Sequence, residues 1–487
     1  MALVNAANGI IWSNALVYLC LGAGVYFSVL MRFPQVRHVK RMVKLLIGNE
    51  ASETGVSSFQ SFAMALGGRV GTGNIAGVAT AIAMGGPGAV FWMWAIAFLG
   101  AGSAFIEAAL AQVWKEEVNG EYRGGPAYYF EKGLNAKWYG MVFAVAVVVS
   151  CGLFLPGVQS NSIATALTKA FAIPPAVTGA GLVAVLALII FGGVKRIGKT
   201  AELIVPFMAI GYIIIALIII VVNIGQLPGV IALIFRSAFG MDAAFGSILG
   251  TAIMWGVKRG VYSNEAGQGT GPMAAAASEV DHPAEQGLVQ AFSVYVDTLF
   301  VCSATAFMIL ITGMYNTVRP DGTFIVENIP GVQYGPAYTQ MAVDTLIPGF
   351  GSGFVAIALF FFVFTTLMAY YYYSESAIAY LFRGSKMNQK TVFHGAMIIF
   401  LFMTFYGTIR TADLAWGLGD IAVGMMAWLN IIGIIILTKP GLLVLKDYED
   451  QLKAGIVKPT FDPKKLGIKN AEVWDAINKR KALKRAK

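Results

Sequence analysis

Phe62-Ala-Met-Ala-Leu-Gly67-Gly68-Arg69-Val70-Gly71-Thr72-Gly73-Asn74-Ile75-Ala76 is an apolar run split at its centre by four glycines, an arginine and an asparagine. A second stretch repeats the pattern. Trp255-Gly256-Val257-Lys258-Arg259-Gly260 leads into Ser263-Asn264-Glu265-Ala266-Gly267-Gln268-Gly269-Thr270-Gly271-Pro272. Both segments lie in a chain of 487 residues that is 57% hydrophobic and only 13% charged, with mean hydropathy +0.69. Such a composition belongs in a bilayer. Residues 204–224 hold no charged side chain, and roughly 20 apolar residues are enough to cross the hydrocarbon. The first apolar stretch, residues 9–31, has no basic residue before it and is too long for a signal-peptide core, so it reads as a retained span.

About eleven spans are expected, centred near residues 20, 70, 100, 152, 184, 212, 260, 300, 362, 400 and 426. The fold class is therefore all-α and integral to the membrane. Basic residues concentrate in alternate connections. Arg32, Arg37, Lys40, Arg41 and Lys44 form one group; Lys115, Arg123, Lys132 and Lys137 a second; Lys195, Arg196 and Lys199 a third; Arg383, Lys386, Lys390 and the lysine-rich tail complete the set. The opposite side carries only Lys169, Arg236, Arg319 and Arg410. The positive-inside rule then places the carboxyl terminus in the cytoplasm and the amino terminus outside, at a cell membrane. The same rule accounts for the net charge of +9, and no aromatic-basic platform accompanies it, so nucleic acid is not an expected partner. Membrane lipid is. The tail, residues 440–487, reads as polar and solvated, and residues 227–239 and 315–348 read as re-entrant or surface pieces.

The two interruptions lie five spans apart, and an odd interval inverts the second unit relative to the first. The expected organisation is an extra helix and basic loop at 1–50, five-helix repeats at 51–225 and 226–439, and the tail. Backbone that leaves the helix at membrane depth has to line a polar cavity or find protein partners, because lipid offers no hydrogen bonds. The half-helix starting near Thr72 presents free N–H groups and a positive dipole end, which suits a carboxylate. The half-helix ending near Gly67 presents carbonyls, which suit a cation. Gly-rich packing without a ligand is the alternative.

In the run Phe362-Val-Phe-Thr365-Thr366, two adjacent hydroxyls interrupt an aromatic helix. They either bond back to their own helix or complete a cage of neutral oxygens for a hard cation. Gln159 follows a Pro156-Gly157 kink and either meets the substrate or bridges helices. Arg69, Glu107, Glu202, Lys258, Arg259, Glu265, Asp297, Glu375 and Asp420 sit at or near membrane depth and need partners, as ion pairs or gates. Cys20, Cys151 and Cys302 lie in apolar stretches, and His38, His282 and His394 near segment ends, so neither a disulfide nor a metal cluster is indicated. No nucleophile, base and orienter occur at local spacing, and an enzyme is not expected.

At these residues the chain resembles the alanine or glycine:cation symporter family, a branch of the leucine-transporter-like fold. The resemblance is carried by Gly85-Gly-Pro-Gly-Ala-Val-Phe-Trp-Met-Trp-Ala-Ile-Ala-Phe-Leu-Gly100, Val70-Gly-Thr-Gly-Asn74, Val158-Gln-Ser-Asn161, Ser263-Asn-Glu-Ala-Gly267 and Asp297-Thr298. It implies import of alanine or glycine coupled to Na+ by alternating access. By similarity, the substrate carboxylate meets the N–H groups of Thr72 and Gly73, and its ammonium lies near the second interruption around Ser263. Asn74, Gln159, Gly267, Gln268, Gly269, Thr270 and Tyr370 complete the substrate site. Na+ is implied at the carbonyls of Gly67, Val70 and Phe362 with the hydroxyls of Thr365 and Thr366. The family pattern has Met, Ser and Ala where this chain has Gln268, Thr270 and Gly271, and Trp where it has Tyr370. These differences leave room for a larger substrate such as glutamine. A proton-coupled carrier and a channel are the alternative functions.

Overall fold

A computed structural model of the chain describes residues 1–47, 54–385 and 389–485. The expected boundary at 50–51 and Lys386 lie outside the described residues. Eight helices are long and apolar enough to cross a membrane. The site rests on α1 (Asn14–Leu30), α2 (Ser58–Arg69), α3 (Val78–Gly85), α4 (Gly88–Val113), α5 (Lys137–Val149) and α6 (Leu155–Phe171). Next come α7 (Pro175–Ile190), α8 (Gly193–Val222), α9 (Leu249–Asn264), α10 (Gly271–Ala276), α11 (Pro283–Tyr295) and α12 (Ser303–Thr312). The remainder is α13 (Phe350–Leu381), α14 (Gln389–Thr408), α15 (Ala412–Ile436), α16 (Thr438–Lys453) and α17 (Val473–Arg485).

Both expected interruptions are present. α2 opens with a capping box, Ser57 and Gln60 exchanging side-chain and backbone bonds, and ends at Arg69. Val70 and Gly71 bend the chain, and a π-helical turn at Gly73–Gly77 leads into α3. The first half is thus two residues longer than the glycines at 67 and 68 suggest, because neither needs a positive φ. The second interruption is wider. α9 ends on Glu265 in the left-handed region, Gly267 and Gly269 follow with φ +80° and +85°, and α10 begins at Gly271. Each half is too short to span alone.

Further π-helical turns lie between α5 and α6 (Ser150–Phe154) and between α11 and α12 (Val296–Cys302). α4 is the spine, with α9 and α11 packed along it and α1 on its other side. Close approach there depends on small residues: a Cβ at Gly24 would lie 2.7 Å from Leu99 Cβ. α6 packs on α13 and α14, and α2 on α8 and α13. Residues 227–239 contain a helix, Leu227–Ala238, lying on α4. Residues 315–348 contain a β-hairpin (Asn316–Val318 with Phe324–Glu327) and a helix, Pro336–Asp344. The hairpin is tied to the bundle by Thr317, whose hydroxyl donates to Ile82 O at 3.0 Å.

The tail differs from expectation: it is folded onto the bundle. Phe461, Trp474 and Ile477 are fully buried, with the Phe461 and Trp474 rings 4.9 Å apart. Trp474 Nε1 donates to Gln112 O at 3.0 Å. Trp114 Nε1 in turn donates to Lys469 O at 2.9 Å. Lys481 pairs with Asp281 at 2.5 Å, and Arg480 bonds Tyr122 and Glu117. Apolar residues spaced this widely among lysines show no helical period, yet each finds its own niche. Replacing Trp474 by alanine empties such a niche. Core Trp-to-Ala changes cost about 3–5 kcal/mol. W474A is therefore expected to lower the unfolding temperature of the detergent-solubilised protein by several degrees, measured by a thermal-shift assay, whereas a solvated tail predicts no change.

Candidate functional site

The five oxygens expected to hold a cation converge. Thr366 Oγ1 donates at 2.9 Å to Gly67 O and lies 2.9 Å from Phe362 O and 3.4 Å from Val70 O. Thr365 Oγ1 lies 3.0 Å from Phe362 O and 3.4 Å from Gly67 O. All five residues are buried. The hydroxyls thus bond back along their own helix and also cross to α2, so the two readings of this pair coexist. A hydroxyl has one proton and two lone pairs, which leaves each oxygen able to face a cation.

Around the first interruption, Gly71 N–H donates to Asn74 Oδ1 at 2.9 Å and Thr72 N–H to Gln159 Oε1 at 3.1 Å. Gln159 therefore occupies one of the two N–H groups expected to meet a carboxylate. Gly73 faces the other interruption, since a Cβ there would lie 3.1 Å from Ser263 Cα and 3.3 Å from Tyr262 Cδ1. Asn74 does not point to open space. Its amide nitrogen donates to Asp297 Oδ1 at 2.7 Å, and Ser263 Oγ donates to Asp297 Oδ2 at 3.0 Å. Thr298 Oγ1 adds a third bond, at 2.7 Å to the same Oδ2. Asp297, from the π-helical turn after α11, ties the first interruption to the second.

The second interruption is held from behind. Gly267 N–H donates to Glu107 Oε1 at 3.0 Å, and Asn430 Nδ2 reaches both Glu107 Oε2 (2.6 Å) and Gly267 O (3.0 Å). Gly267 backs on Ile431, and Gly269 on Phe143, Pro126 and Asn430, so these two glycines face the surrounding helices. Gln268 and Thr270 are buried, and their side-chain polar atoms have no protein partner. Thr72 Oγ1, Tyr262 Oη and Tyr373 Oη share that condition. Tyr370 is buried beside Tyr373, with ring centroids 6.3 Å apart.

Of the buried charges, Asp420 on α15 is gripped from α9 by Arg259 through two bonds, at 2.8 and 2.9 Å, and by Lys258 at 2.7 Å. Trp255, Tyr262 and Trp416 box the Arg259 guanidinium. Arg69 donates to Asn264 O at 2.6 Å, to Gln290 and to Ser293, which locks α2 to the end of α9. Glu375 pairs with Arg123, and Glu202 accepts from Gln60. Asn430 and Tyr373 were not among the expected residues, and Asp297 and Glu107 were expected only as buried acids in need of partners. For Asp297, Glu107 and Asn430 an acid or amide in an apolar run was the available signal, and it does not say which neighbour the side chain meets.

Residues 1–463 match the model of the sodium:alanine symporter family. The chain belongs to that family. A Bacillus subtilis (strain 168) protein provisionally described as a sodium/proton-dependent alanine carrier is 62% identical over 97% of each chain. The sodium/proton-dependent alanine carrier of Bacillus sp. (strain PS3) is 53% identical over 92% of this chain and 100% of its own. A second B. subtilis protein, provisionally described as a sodium/glutamine symporter, is 45% identical over 93% and 91%. Among solved structures, a manganese transporter mutant from Eremococcus coleocola aligns with TM-score 0.50 over 86% of this chain and 85% of its own, at 13% identity, a likeness of fold. The symporter is thus a multi-pass helical membrane protein.

The bend places Gly71 tightly. A Cβ there would lie 2.4 Å from Thr366 Oγ1 and 3.0 Å from Gln159 Oε1, so Thr366 would have to swing away from Gly67 O. Overpacking of this kind costs about 1–3 kcal/mol. G71A is expected to cut alanine uptake about tenfold or more in proteoliposomes, while G229A, with nothing near the added methyl, leaves it unchanged.

Proposed function

We propose that the chain imports a small neutral amino acid, alanine or glycine, coupled to Na+ by alternating access. The observation that carries this reading is the meeting of three backbone carbonyls and two hydroxyls at Gly67, Val70, Phe362, Thr365 and Thr366. It is a set of neutral oxygens suited to a hard monovalent cation. Family membership and the alanine named for two relatives support the substrate. The relative named for glutamine keeps side-chain size open, and Gln268, Thr270 and Tyr370 are the residues expected to set it.

The substrate carboxylate takes the N–H groups of Thr72 and Gly73, with Gln159 turning its amide toward the same carboxylate. The cation and the carboxylate then need one and the same bend in order, and that shared requirement couples them. One charge crossing 100 mV contributes about 2.3 kcal/mol, roughly a fiftyfold gradient before any Na+ concentration difference. In this reading the amino terminus is outside and the carboxyl terminus cytoplasmic. Residues 51–225 and 226–439 form the inverted repeats, 1–50 the added helix and loop, and 440–487 the cytoplasmic tail. The chain performs no catalysis.

T366V keeps the shape of the side chain and removes its oxygen. Its expected phenotype in proteoliposomes with Na+ as the only gradient is a loss of alanine uptake of at least about tenfold, recovered by T366S. Undiminished uptake by T366V refutes the assignment. Two relatives are named for protons as well as sodium, which favours proton coupling as the second reading. Uptake that persists when choline replaces Na+ at constant pH selects it.

A further inference from the structure

Glu265 is the buried acid that the fold leaves alone. It is fully buried, and neither carboxylate oxygen has a hydrogen-bond partner within 3.5 Å, the Thr270 hydroxyl being the donor next in reach. The other acids at this depth are all engaged: Asp420 by Arg259 and Lys258, Asp297 by Asn74, Ser263 and Thr298, and Glu107 by Gly267 N–H and Asn430. Among the described residues no lysine or arginine lies within ion-pair distance of Glu265. The charged and titratable groups that face it are Arg69 from α2, Glu107 from α4, Cys151 from the turn before α6, Tyr262 from α9, Asp297 from the turn after α11, and Tyr370 and Tyr373 from α13. Arg69, the only cation in that set, spends its Nε and Nη1 on Asn264 O, Gln290 and Ser293 and keeps Nη2 without a protein partner.

Glu265 also stands within the second interruption, at φ +56°, with Gln268 and Thr270 unpartnered beside it. An ionised carboxylate in such a place calls for a counter-charge that also donates hydrogen bonds. Among the described residues none bonds to it: the Arg69 guanidinium faces it from beyond ion-pair distance. We propose that Glu265 is the ligand for the substrate's α-ammonium group. The assignment rests on the symport reading above and sharpens it: the site takes molecules with a free α-amino group and rejects acids without one. An ammonium group has three N–H donors, enough for both Glu265 oxygens and one oxygen of Thr270 or Gln268. The carboxylate end meets the first interruption and the ammonium end the second, so a zwitterion closes both.

The test uses the full-length protein in Na+ buffer and two probes of nearly equal shape, alanine and lactate, in which a hydroxyl replaces the ammonium. Binding is measured by calorimetry, and competition by inhibition of radiolabelled alanine uptake in proteoliposomes. Wild type is expected to bind alanine at least about a hundredfold more tightly than lactate or N-acetylalanine. E265Q keeps the shape and removes the charge, and is expected to raise the Kd for alanine about ten- to a hundredfold. A purely structural defect weakens both probes alike, whereas the assignment requires the alanine-to-lactate preference itself to narrow. An unchanged Kd or preference in E265Q overturns it. So does lactate competing with wild type as well as alanine does, a result that needs no variant to fold. If wild type binds no amino acid in Na+, the symport reading falls and the assignment with it; if wild type binds alanine and E265Q matches it, the assignment falls alone.

Discussion

A backbone N–H or carbonyl buried in hydrocarbon has to find its partner inside the protein. The structure around the two interruptions answers that requirement group by group. Val70 N–H bonds Leu66 O, Gly71 N–H bonds Asn74, and Thr72 N–H bonds Gln159. Gly67 O accepts from the Thr366 hydroxyl, whose oxygen also lies 3.4 Å from Val70 O. Across the site, Asn264 O takes Arg69, Ala266 N–H takes Asn264 Oδ1, and Gly267 gives its N–H to Glu107 and its carbonyl to Asn430. These partners come from α2, α4, α6, α13 and α15. Each interruption therefore fixes which helices stand beside it and which faces they turn inward. Asp297 joins the two by accepting from Asn74 on one and Ser263 on the other.

Two contacts of the bundle rest on different physics. In one, Arg259 and Lys258 grip Asp420 inside an aromatic box. Taking charges out of water costs about as much as their attraction returns, so opening this contact to water re-hydrates all three groups at small net cost. In the other, the tail buries Phe461, Trp474 and Ile477. Each large apolar side chain is worth about 1.5–3 kcal/mol when buried, and water returns none of that on release. The ion cluster is therefore the cheaper of the two contacts to expose to water.

Much of this was readable in the sequence. Glycines, charge and an asparagine inside apolar runs marked both interruptions, because hydrocarbon tolerates such residues only for a reason. Adjacent hydroxyls at 365 and 366 marked the oxygen cluster, since their crossing partner is a backbone carbonyl that any sequence supplies. Asn74 was harder. Its position predicted a place in the site, but its engagement with Asp297 depends on a π-helical turn more than two hundred residues away. Gly267 and Gly269 were expected beside the substrate; the space a Cβ would take at each is filled by Ile431 and by Phe143, Pro126 and Asn430. The tail misled for a compositional reason: lysines dominate it, and four or five anchoring side chains have no period to detect.

What is left unsatisfied is as informative as what is paired. Thr72 Oγ1, Gln268, Thr270, Tyr262 and both oxygens of Glu265 are buried together without protein partners. A polar group orphaned out of reach of water costs about 1–3 kcal/mol, more for a charge. A conformation closed at both ends is therefore poorly stable on its own and becomes favourable once a ligand with matching donors and acceptors fills it. The same feature that makes the site selective also penalises closure around nothing. Under the alternating access proposed above, the carrier crosses between its open states mainly when loaded, and tight coupling then follows from unsatisfied hydrogen bonds.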